Sequence, residues 1–432
     1  MILTRARGAR AARIAALAGL VAGIGAAQAQ APAADANFTL AAAVDVAVRD
    51  NAQLKSMRAR WEAMQQRPAQ AGALPNPMFT YSGMDTASGG TWPGTGEKRF
   101  MVQQEFPAPG KRGLLAGIAA KDAEVMQREL EAMTRDVVMM VKAGYYDLYA
   151  VQQALSIERE EQGVLQRMEK IAGAMYATGD RPQADVIKAQ AETTMLKRKL
   201  LELHARETTL TARLNTLFNR QADSPLGPAV PPPEIVFRAE PGALLAQAAT
   251  NSPEVRAVQA GVERSELELR LMAKESLPGY KLGVEYRDID GSDDMAMFTV
   301  GVELPFWNAK NRAGVREAER MRASGLAARE DAERQNAFDV QDAAFQLQTA
   351  RRSLALYRTE LIPQAAARLS ASEAGYRTGK VDFMDLLESE RFLLDAKVMA
   401  VMTEGAAGMQ AARLERATGA AWPRSGGVGE EK

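Results

Sequence analysis

Between Lys111 and about Ala174 the chain contains no proline. A continuous helix over that stretch measures roughly 95 Å at 1.5 Å per residue. Helices of globular domains average only about 12 residues. A rod this long can bury an apolar stripe only against other rods, so the chain is constrained to coiled-coil packing. Val138, Val141, Tyr145 and Leu148 keep the 3-4-3 spacing of such a seam. The run stops at Tyr176-Ala177-Thr178-Gly179-Asp180, and the same Tyr-x-Thr-Gly pattern returns at Tyr376-Arg377-Thr378-Gly379-Lys380. The recurrence marks a tandem duplication of helix–turn–helix units.

The two repeats can be followed in parallel. The first, residues 31–220, reads as a helix over Phe38–Gly72, a β-hairpin over 78–106, the long helix 111–174 and a helix 182–219. Pro182 suits a helix start because its φ is already helical. A proline-rich linker, 221–241, includes Pro231-Pro232-Pro233. The second repeat, residues 242–418, reads as a helix over Leu244–Ser276, a hairpin 280–304, a long helix 309–375 and a last helix 383–418. Val340, Ala343, Leu347, Ala350, Leu354, Tyr357 and Leu361 alternate three and four apart, the strongest heptad signal in the chain. Pro363 is expected to bend this helix without ending it, since helical spacing resumes at Ala366 and Leu369. Residues 419–432 read as a disordered tail.

The hairpins alternate strictly. Phe79, Tyr81, Phe100 and Val102 share one face in the first. Tyr280, Leu282, Val284, Tyr286, Phe298, Val300 and Val302 share one face in the second, opposite Lys281, Glu285, Arg287 and Glu303. A half-buried sheet over a soluble core is one account of that pattern. A membrane barrel is the other: the aromatic residues suit lipid interfaces and the charged face suits a wet lumen. Four strands cannot close a barrel, and lipid does not tolerate an open edge. The barrel account therefore requires oligomerisation, and a trimer supplies twelve strands.

The N-terminus supports export. Arg5, Arg7, Arg10 and Arg13 precede the apolar run Ile14–Ala27, with Ala-x-Ala sites after it, so residues 1–30 read as a signal peptide. Lys plus Arg and Asp plus Glu number 54 each, which removes the basic excess expected of a nucleic-acid binder. With no cysteine and one histidine, His204, thiolate zinc sites and cysteine nucleophiles are excluded. No catalytic set or phosphate loop is present, so no enzyme activity, cofactor or resident metal is assigned. The 21 methionines, Met295 and Met297 among them, invite a soft-metal reading, but packing is the ordinary use of thioethers.

These features together resemble the TolC family of outer-membrane efflux channels over nearly all of the mature chain. The matching stretches are the two repeats, the junction Glu105-Phe106-Pro107-Ala108-Pro109-Gly110-Lys111, and the two Tyr-x-x-Gly turns with Asp185-Val186 and Asp385-Leu386-Leu387 after them. The resemblance implies a mainly α fold with a small β part: a homotrimer of long antiparallel coiled-coil helices forming an α-barrel below a twelve-stranded β-barrel. It implies an outer-membrane location with a long periplasmic extension, and partners in a periplasmic adaptor and an inner-membrane pump of the RND type. The Pro-Gly-Lys junction is similar to the heavy-metal-efflux branch. The tips would carry the gate, at Asp385 and Glu388, and the adaptor-docking residues Tyr176, Gly179, Asp180, Arg181, Asp185, Tyr376, Gly379, Lys380 and Val381. Some members lock the closed tip with an arginine at the position held here by Val381, which leaves Arg181 or Lys380 as substitutes. The expected function is passive export of substrates, with heavy-metal cations as one candidate cargo beside drugs and proteins. A type I secretion channel and a non-pore periplasmic coiled-coil scaffold remain alternatives.

Overall fold

The computed structural model describes residues 38–84, 96–233, 241–289, 293–306 and 308–419. The expected signal peptide, the tail from 420 and parts of the hairpin loops and linker lie outside them. Among the described residues no helix is long and apolar enough to cross a membrane.

The chain enters through three short helices, α1 (Leu40–Asp50), α2 (Ala52–Met64) and α3 (Arg67–Ala71), where the sequence suggested one. Asn51 causes the first break. Its ψ of 123° leaves the helical region, and its side-chain oxygen accepts the Leu54 N–H at 3.1 Å. Its amide donates to the Leu217 carbonyl at 3.0 Å, so the break is anchored on a distant helix end. The second repeat is interrupted at the matching place. There α6 (Pro241–Asn251) and α7 (Pro253–Lys274) meet at Ser252, whose extended backbone is what a residue before proline prefers.

Strands β1 (Met78–Met84) and β2 (Glu97–Phe106) lead into α4 (Lys111–Ala177), and α5 (Gln183–Leu217) returns along it. At 67 residues, α4 is roughly 100 Å long. Its seam is Val137, Val141, Tyr145, Leu148, Val151 and Leu155, each at most 2% exposed. The first seam position is thus Val137, not Val138, because the spacing there is 4-4-3 rather than a strict heptad. The Tyr145 hydroxyl reaches the carbonyls of Phe38 at 2.8 Å and Val230 at 2.7 Å. It clasps the chain entry to the linker, where Phe38 and Ala229 form a parallel bridge.

After α7, β3 (Gly279–Ile289) and β4 (Met295–Glu303) lead to α8 (Asn308–Leu356), a π-helical turn (Tyr357–Leu361), α9 (Ile362–Arg377) and α10 (Phe383–Thr418). The π-turn explains how the helix passes Pro363. The Ile362 N–H bonds to the Tyr357 carbonyl five residues back, loosening the turn just before the residue that lacks an N–H. It also rephases the seam: Val340, Ala343 and Leu347 are buried, Leu354, Tyr357 and Leu361 only partly, and Ala365 is buried again.

Helix α10 lies close on α4 at Gly405 and Gly408, which face Ala150 and Tyr146, while its Ala407 and Ala411 pack with Val340, Ala343 and Leu347 of α8. A Cβ built on Gly408 would collide with the Tyr146 ring. Ion pairs along α4 also tie the repeats together. Lys142 meets Glu415 at 2.5 Å, Arg264 meets Asp122 at 2.6 Å, and Arg416 holds both Asp136 and Glu254.

The four strands form one antiparallel sheet in the order β1-β2-β3-β4, so β2 and β3 join the repeats. Register aligns Phe79 with Val102 and Val284, and Tyr81 with Phe100 and Tyr286. Phe298 pairs with Val284, Val300 with Leu282, and Val302 with Tyr280. One continuous apolar face results, and every one of these side chains is exposed, Phe298 to 79%. On the opposite face Glu285, Arg287, Glu97 and Arg99 form a charged network. Met297 and Met295 share that face, opposite Glu285 and Arg287.

Candidate functional site

Both helical tips end in the same hydrogen-bonded turn. In the first, Asp180 N–H bonds to the Met175 carbonyl at 2.9 Å and Gly179 N–H to Tyr176 at 3.0 Å. In the second, Lys380 N–H bonds to Gly375 at 2.9 Å and Gly379 N–H to Tyr376 at 3.1 Å. This is the Schellman arrangement, in which a left-handed residue reverses the chain and satisfies the last carbonyls. Gly179 and Gly379, at φ 80° and 74°, supply that conformation without a side-chain clash. The helices beyond the two turns start differently. Pro182 precedes α5, while the Asp382 side chain caps α10 by accepting the Asp385 N–H at 2.9 Å.

Side chains break the symmetry further. Tyr176 is 47% exposed, whereas Tyr376 is 6% exposed and lies in the core of the tip. Tyr376 packs on Phe383 with ring centroids 5.7 Å apart, and its hydroxyl donates to the Met175 sulfur at 3.3 Å. The Arg181 guanidinium covers the same ring at 5.0 Å. Burial pushes the Tyr376 phenol up, with Arg181 opposing and Asp185 adding to the shift. A residue of the second tip is thus held inside the first. Val381 packs tightly on Gly375, leaving no room for a Cβ there. Of the two candidate substitutes for that arginine, Arg181 lies over the Tyr376 ring and Lys380 is exposed.

Asp385 and Glu388 are both exposed on α10. Glu388 is paired with Arg368 of α9 at 3.2 Å, and that guanidinium also stacks over Phe392 at 5.5 Å. Sequence reasoning missed Arg368. Folding the hairpin about Thr378 brings positions 368 and 388 together, so the signal was present in the turn position. Among the residues named as docking tips, Tyr176, Gly179, Asp180, Gly379 and Lys380 are exposed, and Arg181 and Val381 are half-buried. Tyr376 and Asp185 are buried and are not open to a partner in this arrangement. His204 is exposed near Arg159 and Glu207. Among the described residues, no group of three or more His, Asp or Glu is placed to hold a metal ion.

Comparison with known proteins gives concordant results. Residues 244–420 match the family model described as outer membrane efflux protein. The cobalt-zinc-cadmium resistance protein CzcC of Cupriavidus metallidurans is 23% identical over 397 residues, covering 88% of this chain and 90% of the relative. Among solved structures, the outer-membrane protein VceC of Vibrio cholerae superposes with a TM-score of 0.74 at 17% identity, covering 88% of this chain and 96% of that one. CusC, described in connection with transmembrane channel formation, superposes with a TM-score of 0.77 at 15% identity, covering 88% and 92%.

Proposed function

We propose that the chain, whose residues 244–420 match the outer membrane efflux protein model, is one protomer of a trimeric outer-membrane channel that passively exports heavy-metal cations. The observation that carries the reading is the sheet. One face is a continuous exposed band of aromatic and aliphatic side chains, and the other is charged. Such a sheet is stable in lipid only if its two free edges find partners, and three copies closing a twelve-stranded barrel would provide them. A soluble coiled-coil scaffold has no use for that apolar face. The metal cargo is supported by the similarity to a cobalt-zinc-cadmium resistance protein. An inner-membrane pump of the RND type would supply the energy through a periplasmic adaptor docked on the exposed tips around Tyr176, Asp180 and Lys380.

The gate in this reading is the contact between the two tips. Arg181 and Tyr376 hold it shut, and adaptor binding releases the second tip from the first. Asp385 and Glu388 would then face the axis in three copies each, attracting cations to the aperture. Arg368 neutralises part of that charge while the tip is closed.

Two measurements test this. Membrane fractionation should recover the protein only with detergent, and recovery in the soluble periplasm would overturn the channel reading. Deletion should sensitise cells to cobalt, zinc or copper. Sensitisation to organic toxins alone would keep the channel and overturn the metal cargo.

A further inference from the structure

All four junctions between helix and strand lie at one end of the sheet. Register pairs Phe106, the last residue of β2, with Tyr280 near the start of β3, and Gly279 with Glu303, the last residue of β4. Strand β1 opens at the same end, with Met78 opposite Gln103. The chain stays apolar past the strands here. Leu304 follows β4 in phase with its apolar face, and Phe306 is 75% exposed. Leu74, Leu115 and Leu277, beside the other three junctions, are exposed as well.

Cations come directly after this apolar ring. The nine residues adjoining the sheet at each junction, 69–77, 107–115, 270–278 and 304–312, contain six basic residues and one acid, in a chain whose 54 basic and 54 acidic residues balance. The acid, Glu275, is held by Lys111 at 2.9 Å. Lys274 donates to the Pro109 carbonyl at 3.0 Å and Arg112 to the Gly72 carbonyl at 2.8 Å, so these two brace the junctions. Arg270, Lys310 and Arg312 are exposed, and none of them holds a carboxylate among the described residues. Farther along α8, Arg322, Arg334 and Arg358 each hold one. Unmatched positive charge therefore collects beside the exposed apolar ring. Side chains lean toward the N-terminus of their helix, so Lys310 and Arg312 at the start of α8 tilt toward the sheet.

We propose that this end of the helices is a collar for anionic phospholipid, in which Arg270, Lys310 and Arg312 bind headgroup phosphates of the leaflet on the helical side while Leu304 and Phe306 sit among the acyl chains. The collar rests on the outer-membrane reading above and adds a lipid preference to it. Its dimensions match. The headgroup layer is roughly 5–7 Å deep on each side of the hydrocarbon. Lys310 and Arg312 lie within about 6 Å of the start of α8, and Arg270 about 6 Å from the end of α7. Their long stems can run along the apolar ring while the charged heads stay in the headgroup layer. The charge matches too, since basic residues beside a membrane surface are drawn to anionic lipid. The apolar face of the sheet continues into the ring at Leu304, so collar and strands present one surface to the bilayer.

The test uses the full-length protein reconstituted in phosphatidylcholine vesicles that carry a trace of spin-labelled phosphatidylglycerol or spin-labelled phosphatidylcholine. The spectrum reads the fraction of each probe immobilised on the protein. The parent should favour the phosphatidylglycerol probe by roughly five-fold, the effect of one basic residue near an anionic surface. R270Q/K310Q/R312Q should bring the two probes close to parity. R270K/K310R/R312K should keep the preference, because charge rather than side-chain shape is recognised. No preference in the parent, or the same preference in the neutralised variant, would overturn the collar. Washing the vesicles with alkaline carbonate separates the collar from the reading it rests on. A parent that washes off was never inserted, and the channel reading falls together with the collar. A parent that stays in the bilayer without a charge-dependent preference leaves the channel standing and removes the collar alone.

Discussion

Replacing Arg181 with alanine tests the proposed tip lock directly. The guanidinium sits 5.0 Å from the centroid of a ring that is almost wholly buried. A cation–π contact of this kind contributes about 1 kcal/mol, more when desolvated and less when wet. Arg181 is half-buried, so the middle of that range applies. In a three-fold assembly the loss is repeated three times, giving about 3 kcal/mol per channel. At about 1.4 kcal/mol per decade, the ratio of closed to open tips falls roughly 100-fold. R181A should therefore raise the open probability of channels reconstituted in planar bilayers without partner proteins. R181K should recover part of the closure, since an ammonium keeps the charge but not the planar stack. An R181A open probability within two-fold of the parent would refute the reasoning, because no other cation covers the Tyr376 ring among the described residues.

The remaining expectations concern packing and charge. G408A should destabilise the protein by about 1–3 kcal/mol, because the new methyl collides with the Tyr146 ring between α10 and α4, and thermal unfolding in detergent would show it. Y145F should cost about 1 kcal/mol by removing the hydroxyl that joins the Phe38 and Val230 carbonyls, read as a fall of a few degrees in Tm. R368A should tighten block by divalent cations at the periplasmic entrance by freeing Glu388. Neutralising Asp385 and Glu388 together should weaken block or raise conductance, and unchanged values in both would remove these acids from the gate.

Much of the architecture was legible because it is written in period and punctuation. The resemblance to outer-membrane efflux channels is borne out by the family match and the shared fold. Strand faces could be read because side chains alternate with period two, and a register error of one residue would have put Phe79 and Phe298 on the charged side. Breaks were harder. Asn51 interrupts a helix that its neighbours favour, since its side chain finds partners at both Leu54 and Leu217. Pro363 marks where α8 and α9 meet, but the π-turn that precedes it is a backbone response with no residue signature of its own.

The sequence by itself determined the duplication, the long antiparallel rods, the amphipathic hairpins and the glycine turns at the tips. Each of these comes from local spacing or from the backbone freedom of a single residue. Tertiary structure alone decided what differs between the repeats. Tyr176 and Tyr376 occupy the same place in the same turn, yet one faces solvent and the other is enclosed by Met175, Arg181 and Phe383. Glu158 and Lys199 lie in ordinary helical runs rich in charge, and nothing near either predicts that they meet at 2.8 Å across α4 and α5, with Asp395 of α10 on the same ammonium. Burial and pairing across a helix interface depend on which rods pack together and at what rotation, and local periodicity carries no record of that choice.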